Sequence, residues 1–127
     1  MTRFAFAALV LAACGGDDGN NNAQMDAAVQ VDAAAKVTAL ATCPATVDAT
    51  MTTNAAAFSP TGVTVSAGGV VKLEATVGHK IIPNTLQPSD SALNVAQGAT
   101  KCFKFNATGT YSIICEFHSF VGSVTVN

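Results

Sequence analysis

Residues 109–127 read GTYSIICEFHSFVGSVTVN, and this stretch decides the fold. Tyr111, Ile113 and Cys115 alternate with Ser112 and Ile114, and Val124 and Val126 flank Thr125 in the same way. A period of two is typical of strands that bury one face. The stretch therefore predicts two strands joined by a short loop.

The same alternation recurs upstream. Its apolar positions are Val63, Val65, Ala67, Val71, Leu73, Ala75, Val77, Phe103 and Phe105. We expect residues 46–53 to form the opening strand, and residues 103–106 to form a hairpin with residues 111–115 through Gly109. Short strands separated by Gly and Pro predict an all-β fold, a small antiparallel Greek-key β-sandwich. An immunoglobulin-like domain would show a similar pattern.

The first residues predict export. One positive charge at Arg3 precedes an apolar run from Phe4 to Ala13, which is too short to span a membrane. Residues 1–13 are interpreted as a signal peptide, residues 14–41 as a flexible tether rich in small and polar residues, and residues 42–127 as the folded domain.

Cys14 ends the apolar run in the sequence Leu-Ala-Ala-Cys, which resembles the lipobox of bacterial lipoproteins. The resemblance implies a lipid on Cys14, and hence a membrane-anchored protein of the bacterial cell envelope, in the periplasm or on the outer face. The alternative is an ordinary secreted protein that is cleaved after the small residues.

Charge in residues 42–127 is balanced. The charged residues are Lys72, Lys80, Lys101, Lys104, Asp48, Glu74, Asp90 and Glu116. A neutral domain lacks the basic surface that nucleic acid binding requires.

Three residues form a candidate metal site. Cys115 and His118 lie together where the predicted strand ends, and His79 follows the alternating run that ends at Val77. One thiolate with two imidazoles is a donor set suited to copper in both of its oxidation states. A Cys-x-x-His motif alone is weak, so its position between strands carries the prediction.

This arrangement resembles the cupredoxin family of plastocyanin, azurin and amicyanin. The similarity covers residues 55–127, including FSPTGVTV at 58–65, GTYSIIC at 109–115 and VGSVTVN at 121–127. It implies one mononuclear type 1 copper held by His79, Cys115 and His118, electron transfer rather than enzymatic activity, and a redox partner docking near His118.

Two residues bear on the axial positions of such a site. Gly78 matches a glycine whose carbonyl oxygen approaches copper in azurin. Phe120 occupies the position where most members have methionine, which predicts a high reduction potential. Lys80 replaces an asparagine whose hydrogen bonds help to join the ligand loops in the family.

The remaining cysteines predict a disulfide. Cys102 faces away from Phe103 and Phe105, whereas Cys115 shares the parity of Tyr111 and Ile113. This disfavours a Cys102–Cys115 bridge and leaves Cys43 as the partner of Cys102. The alternative is two free or intermolecular thiols.

Two other functions stay open at this point. The domain could store or deliver copper, or it could be a metal-free sandwich that serves adhesion. The protein is expected to act as a monomer.

Overall fold

The structure, a computed structural model, describes residues 34–127, which contain nine strands and no helix. The strands are β1 (Val37–Ala39), β2 (Ala49–Thr53), β3 (Phe58–Ser59), β4 (Gly62–Val65), β5 (Val70–Glu74), β6 (Ile81–Pro83), β7 (Thr100–Phe105), β8 (Gly109–Cys115) and β9 (Val121–Val126). The predicted signal peptide, Cys14 and most of the predicted tether lie outside the described residues. In the described part, no helix is long and apolar enough to cross a membrane.

The strands form two sheets that face each other. The first sheet has the order β1-β7-β5-β2-β3, and the second has the order β4-β9-β8-β6. The prediction of an all-β sandwich is confirmed. Two neighbouring pairs, β2 with β5 and β4 with β9, are parallel, and the other pairs are antiparallel. Between β2 and β5 the chain crosses to the second sheet, forms β4 there and crosses back to the first sheet. β2 and β5 can therefore run in the same direction.

The core lies between the two sheets. It is formed by the apolar side chains at alternate positions of the strands. The largest fully buried side chains are Phe58, Phe103, Phe105, Met51, Leu73, Ile81, Leu93, Ile113, Val71, Val95, Val124 and Thr53. Burial of these apolar surfaces is the main favourable contribution to folding. The alternation seen in the sequence is therefore the inward and outward alternation of the pleat.

The predicted hairpin of residues 103–106 with residues 111–115 is wrong. β7 pairs with β1 and β5 in the first sheet, whereas β8 pairs with β6 and β9 in the second. The short connection crosses between the sheets, and the rings of Phe105 and Tyr111 meet inside the core with centroids 5.1 Å apart. The Tyr111 hydroxyl donates to the Ala107 carbonyl at 2.8 Å, which fixes this crossing. Alternation marks a strand but does not say which sheet it joins.

The folded unit begins before residue 42, at Ala35. β1 pairs with β7, Leu40 N–H donates to the Cys102 carbonyl at 2.9 Å, and Asn106 N–H donates to the Lys36 carbonyl at 2.8 Å. The segment was expected to be tether because residues 14–41 are rich in small and polar residues, and in β1 only Val37 is buried. A strand that short, with one core side chain, has almost no periodic signal.

The predicted disulfide is confirmed, since Cys43 and Cys102 are bonded in the structure. Cys102 lies on the outer side of β7, opposite Phe103, as its parity indicated. It is nevertheless only 1% exposed, because the chain after β1 lies over it. Among the described cysteines, Cys115 is the free one, and it is buried.

Candidate metal centre

Cys115, His118 and His79 come together at one end of the second sheet. Cys115 is the last residue of β8, His118 lies in the loop between β8 and β9, and His79 lies between β5 and β6. All three of the predicted ligand residues are therefore in one place. Their possible ligand atoms lie within 4.8 Å of one another.

A tight turn delivers His79. Its N–H donates to the Thr76 carbonyl at 3.0 Å, and Gly78 has a φ of 86°. A bond between the first and fourth residues with positive φ at the third is the pattern of a type II turn, which favours glycine at that position. Val77 occupies the exposed corner of this turn, at 88% exposure, although its parity suggested burial.

The pairing of β6 with β8 holds the two buried ligands side by side. Ile81 is opposite Cys115 in the antiparallel register, so His79 lies just beyond the end of the ladder. Ile81 is also anchored on its other side, where it exchanges two backbone hydrogen bonds with Val95. The position of His79 is thus set by β6, a short strand with backbone hydrogen bonds on both of its edges.

The loop that carries His118 is short and closed by the backbone. Ser119 N–H donates to the Cys115 carbonyl at 2.9 Å, and Cys115 N–H donates to the Phe120 carbonyl at 3.0 Å. Ser119 has a φ of 58°, a left-handed conformation that is uncommon for residues other than glycine. These bonds turn the chain tightly enough to bring His118 back towards Cys115.

The distances fit a metal ion. Cys115 Sγ lies 3.5 Å from Nδ1 of His79 and 3.7 Å from Nδ1 of His118. Metal bonds of about 2.3 Å to sulfur and about 2.0 Å to nitrogen, at an angle of about 110–120°, separate two such ligand atoms by about 3.5–3.8 Å. Both histidines direct the same ring nitrogen to the thiol, and each of the two sulfur–nitrogen separations is the one that a shared ion requires.

The three candidate ligands differ in their exposure. Cys115 is fully buried and His79 is 7% exposed, whereas His118 is an exposed residue. The two histidine rings lie with centroids 4.7 Å apart. Cys115 and His79 are therefore shielded from solvent. Of the three residues, only His118 reaches the surface.

Phe120 lies beside both histidines. Its ring centroid is 5.6 Å from that of His79 and 6.1 Å from that of His118, and the His118 ring is nearly parallel to it at 14°. A half-buried aromatic ring thus packs against the rings of both candidate histidine ligands. Sequence reasoning missed the residue behind it, Phe58, which packs against Phe120 from the core.

The fold has close structural counterparts, although no family model and no curated protein matches the sequence. Amicyanin from Paracoccus versutus (Thiobacillus versutus) superposes with a TM-score of 0.55 at 21% identity, covering 74% of this chain and 100% of amicyanin. A purple cupredoxin from Nitrosopumilus maritimus has a TM-score of 0.51 at 25% identity, covering 63% of this chain and 100% of that one.

The domain has a cupredoxin-like fold. A third similar structure is the reduced Cu(I) form of an amicyanin variant, with a TM-score of 0.53, 16% identity, and coverage of 72% of this chain and 99% of the other. The cupredoxin-like domain also contains the His-Cys-His group, a donor set that suits copper.

Sequence reasoning also missed an ion pair of the cupredoxin-like domain that adjoins the site. Lys80 follows His79 directly, Glu116 follows Cys115 directly, and Lys80 Nζ lies 2.7 Å from Glu116 Oε2. Two opposite charges, each one residue after a candidate ligand, were the signal in the sequence. The approach of the Gly78 carbonyl to an ion stays a prediction.

Proposed function

We propose that this domain carries single electrons on one mononuclear type 1 copper ion held by His79, Cys115 and His118. The observation that carries the proposal is the position of these three ligand atoms, within 4.8 Å of one another at one end of a cupredoxin-like sandwich. Copper bound there would supply a one-electron couple, because sulfur favours the reduced ion and nitrogen accepts the oxidised one.

The protein contributes a fixed arrangement of donors. His79 is held by a turn and by β6, a strand with backbone hydrogen bonds on both of its edges. Cys115 and His118 are held by a loop with two backbone hydrogen bonds. Ligands fixed by their surroundings change position little between oxidation states, so little energy is spent on rearrangement during each transfer.

Phe120 supports the proposal of a high-potential, three-coordinate site without the usual axial methionine. An aromatic ring beside the two histidines excludes water but donates no electron pair to the ion. The Gly78 carbonyl is the proposed weak contact from the other axial side. An apolar shell and a missing soft donor both favour the reduced ion.

His118 is the proposed route for the electron. It is the exposed ligand residue, and the neighbouring Phe117 is 52% exposed. We propose that a redox partner protein docks on this end of the domain, where Phe117 exposes apolar surface next to His118 in the chain. Apolar residues at a contact centre are typical of protein interfaces.

The cellular setting belongs to the same proposal. The sequence of residues 1–14 supports export and lipid attachment at Cys14, so that a membrane would hold the monomeric carrier at the cell envelope. The same proposal makes the domain a carrier and not an enzyme, because an electron carrier needs no substrate pocket or second metal. In residues 34–127, His79, Cys115 and His118 are the one His/Cys/Asp/Glu group arranged for a metal, which favours a carrier over an enzyme.

The deciding test is an absorption spectrum of residues 35–127 during titration with Cu(II). We expect an intense visible thiolate-to-copper band at one equivalent, which is absent from Cys115→Ser. Zn(II) should compete for the site and give no band. No band in either protein would refute electron transfer and leave a metal-free sandwich. A band that disappears quickly when a chelator is added would favour copper storage or delivery.

A further inference from the structure

Lys80 and Glu116 connect the two chain segments that carry the buried ligands. Their side chains form an ion pair of 2.7 Å, and Glu116 N–H donates to the Lys80 carbonyl at 2.9 Å. Lys80 belongs to the segment of His79, and Glu116 belongs to the segment of Cys115. Lys80 and Glu116 therefore make both a backbone contact and a side-chain contact between the two ligand segments.

The register explains where this pair lies. Ile81 is opposite Cys115, so Lys80 and Glu116 are the next opposite pair and continue the β6–β8 ladder by one step. Ile81 and Cys115 are fully buried, whereas Lys80 and Glu116 are partly exposed. Because successive side chains point to opposite faces of a strand, the ion pair lies on the outer face while His79 points inward.

The pair can add little to the overall stability of the fold. The side chains of Lys80 and Glu116 are 33% and 40% exposed. Exposed ion pairs of this kind contribute little to unfolding free energy, and opposite charges across neighbouring strands contribute modestly. A contact of small energy can still fix local geometry, because it acts where the ladder ends and the ligand segments would otherwise separate.

We propose that the Lys80–Glu116 pair is a positioning device for the metal centre, which fixes the distance between His79 and Cys115. The proposal rests on the copper site proposed above. With the pair in place, the last step of the ladder stays closed and His79 Nδ1 stays 3.5 Å from Cys115 Sγ. Without it, this distance varies from molecule to molecule and between oxidation states.

The test separates position from charge. Lys80→Met removes a positive charge and Glu116→Gln removes a negative one, so a purely electrostatic effect would shift the reduction potential in opposite directions. A positioning effect changes both variants alike. We expect broader copper hyperfine lines in the electron paramagnetic resonance spectrum and a slower electron self-exchange rate in each. The exchanged pair, Lys80→Glu with Glu116→Lys, should restore both properties.

The Lys72–Glu74 pair supplies the matched control. It lies in β5 of the other sheet, its atoms are 2.8 Å apart, and its exposure of 33% and 31% is similar. Lys72→Met and Glu74→Gln make the same charge changes away from the ligand segments. We expect both to retain the wild-type hyperfine lines and self-exchange rate.

A measurement without copper completes the design. Amide hydrogen exchange of Glu116 in the metal-free protein should speed up by about two- to fivefold in Lys80→Met, the change that the loss of one such pair implies. If wild type shows the copper band but every readout is unchanged in both Lys80 and Glu116 variants, positioning is refuted and the copper site stands. If wild type shows no band, the copper site is refuted, and the positioning proposal with it.

Discussion

Phe58 meets Phe120 edge to face, with ring centroids 5.1 Å apart and planes at 82°. Phe58 belongs to the core of the first sheet and is 2% exposed, whereas Phe120 adjoins both candidate histidine ligands. The Phe58 ring also lies directly over Gly122, where a Cβ atom would be only 2.7 Å from its Cδ2 atom. The core packing of the sandwich is thereby connected to the surroundings of the candidate metal centre.

Gly122→Ala should therefore destabilise the domain and disturb the site together. The added methyl group would also lie 3.0 Å from Met51 Cε, so the core must shift to accept it. Overpacking of this kind costs about 1–3 kcal/mol of unfolding free energy. Urea denaturation measures the loss, and the position of the copper band reports the displacement of Phe120.

Gly62→Ala is the control for that substitution. Its Cβ would lie 3.1 Å from the rotatable Ser123 hydroxyl and 3.6 Å, an ordinary contact distance, from the Ser123 carbonyl oxygen, so we expect a change within about 0.5 kcal/mol. Equal losses in the Gly62 and Gly122 variants would show that contact with Phe58 is not the cause.

Phe120→Met should lower the reduction potential. A thioether beside the site can donate to the oxidised ion, which the aromatic ring cannot do. Even a tenfold change in relative affinity for the two oxidation states corresponds to about 59 mV for a one-electron couple. Phe120→Leu removes the ring without adding a donor, so a redox titration in which both variants fall equally would contradict thioether ligation.

Removing the disulfide should cost much of the stability but leave the metal site. Cys43 and Cys102 are 59 residues apart, and closing a loop of that size contributes about 4 kcal/mol in the chain-entropy account. We expect Cys43→Ala with Cys102→Ala to lose about that much in urea denaturation while keeping the copper band, because Cys115 is not part of the bridge. Loss of the band with the fold intact would contradict this separation.

Glu74 should make stability depend on pH in the acid range. The Lys72 ammonium, as a hydrogen-bond partner, and then the Thr52 hydroxyl hold the pKa of Glu74 below its ordinary value. A carboxyl pKa that is lower in the folded state stabilises the fold at neutral pH, and this contribution is lost as the pH falls through the carboxyl range. The group is partly exposed, so the contribution is about 0.3 kcal/mol.

Thr52→Val tests the pH effect. Urea midpoints between about pH 7 and about pH 3 should fall less in this variant than in wild type, because its Glu74 has lost one stabilising hydrogen bond. Thr50→Val, on the same face of β2, serves as the control and should follow wild type. An unchanged pH dependence in Thr52→Val would remove the Thr52 hydroxyl from the explanation.

The sequence was sufficient for most of the strands and for the three residues brought together at the site. Alternation located most of the strands because each buries one face against a single core. The parity of Cys102 against Phe103 correctly separated the bridging cysteine from Cys115. These inferences depend on local geometry, which the order of residues specifies.

The sequence pattern did not predict which sheet each strand joins, or the tertiary contacts that support β1 and Phe120. The step from β7 to β8 looks like a hairpin in the sequence, yet Phe105 and Tyr111 face each other from different sheets. β1 has one buried side chain, so its pairing depends on contacts nearly seventy residues away, such as that of Asn106 with Thr38. The position of Phe58 behind Phe120 likewise follows from tertiary packing alone.

The Cys43–Cys102 bond also determines how the domain would carry a mechanical load. A pull between its two ends loads the pairing of β1 with β7, since β1 precedes Cys43 in the chain. Tension then passes through the two sulfur atoms into β7 and bypasses residues 44–101. The five strands from β2 to β6 and the histidine at position 79 lie in that bypassed segment, so their backbone is off the covalent path that carries the load.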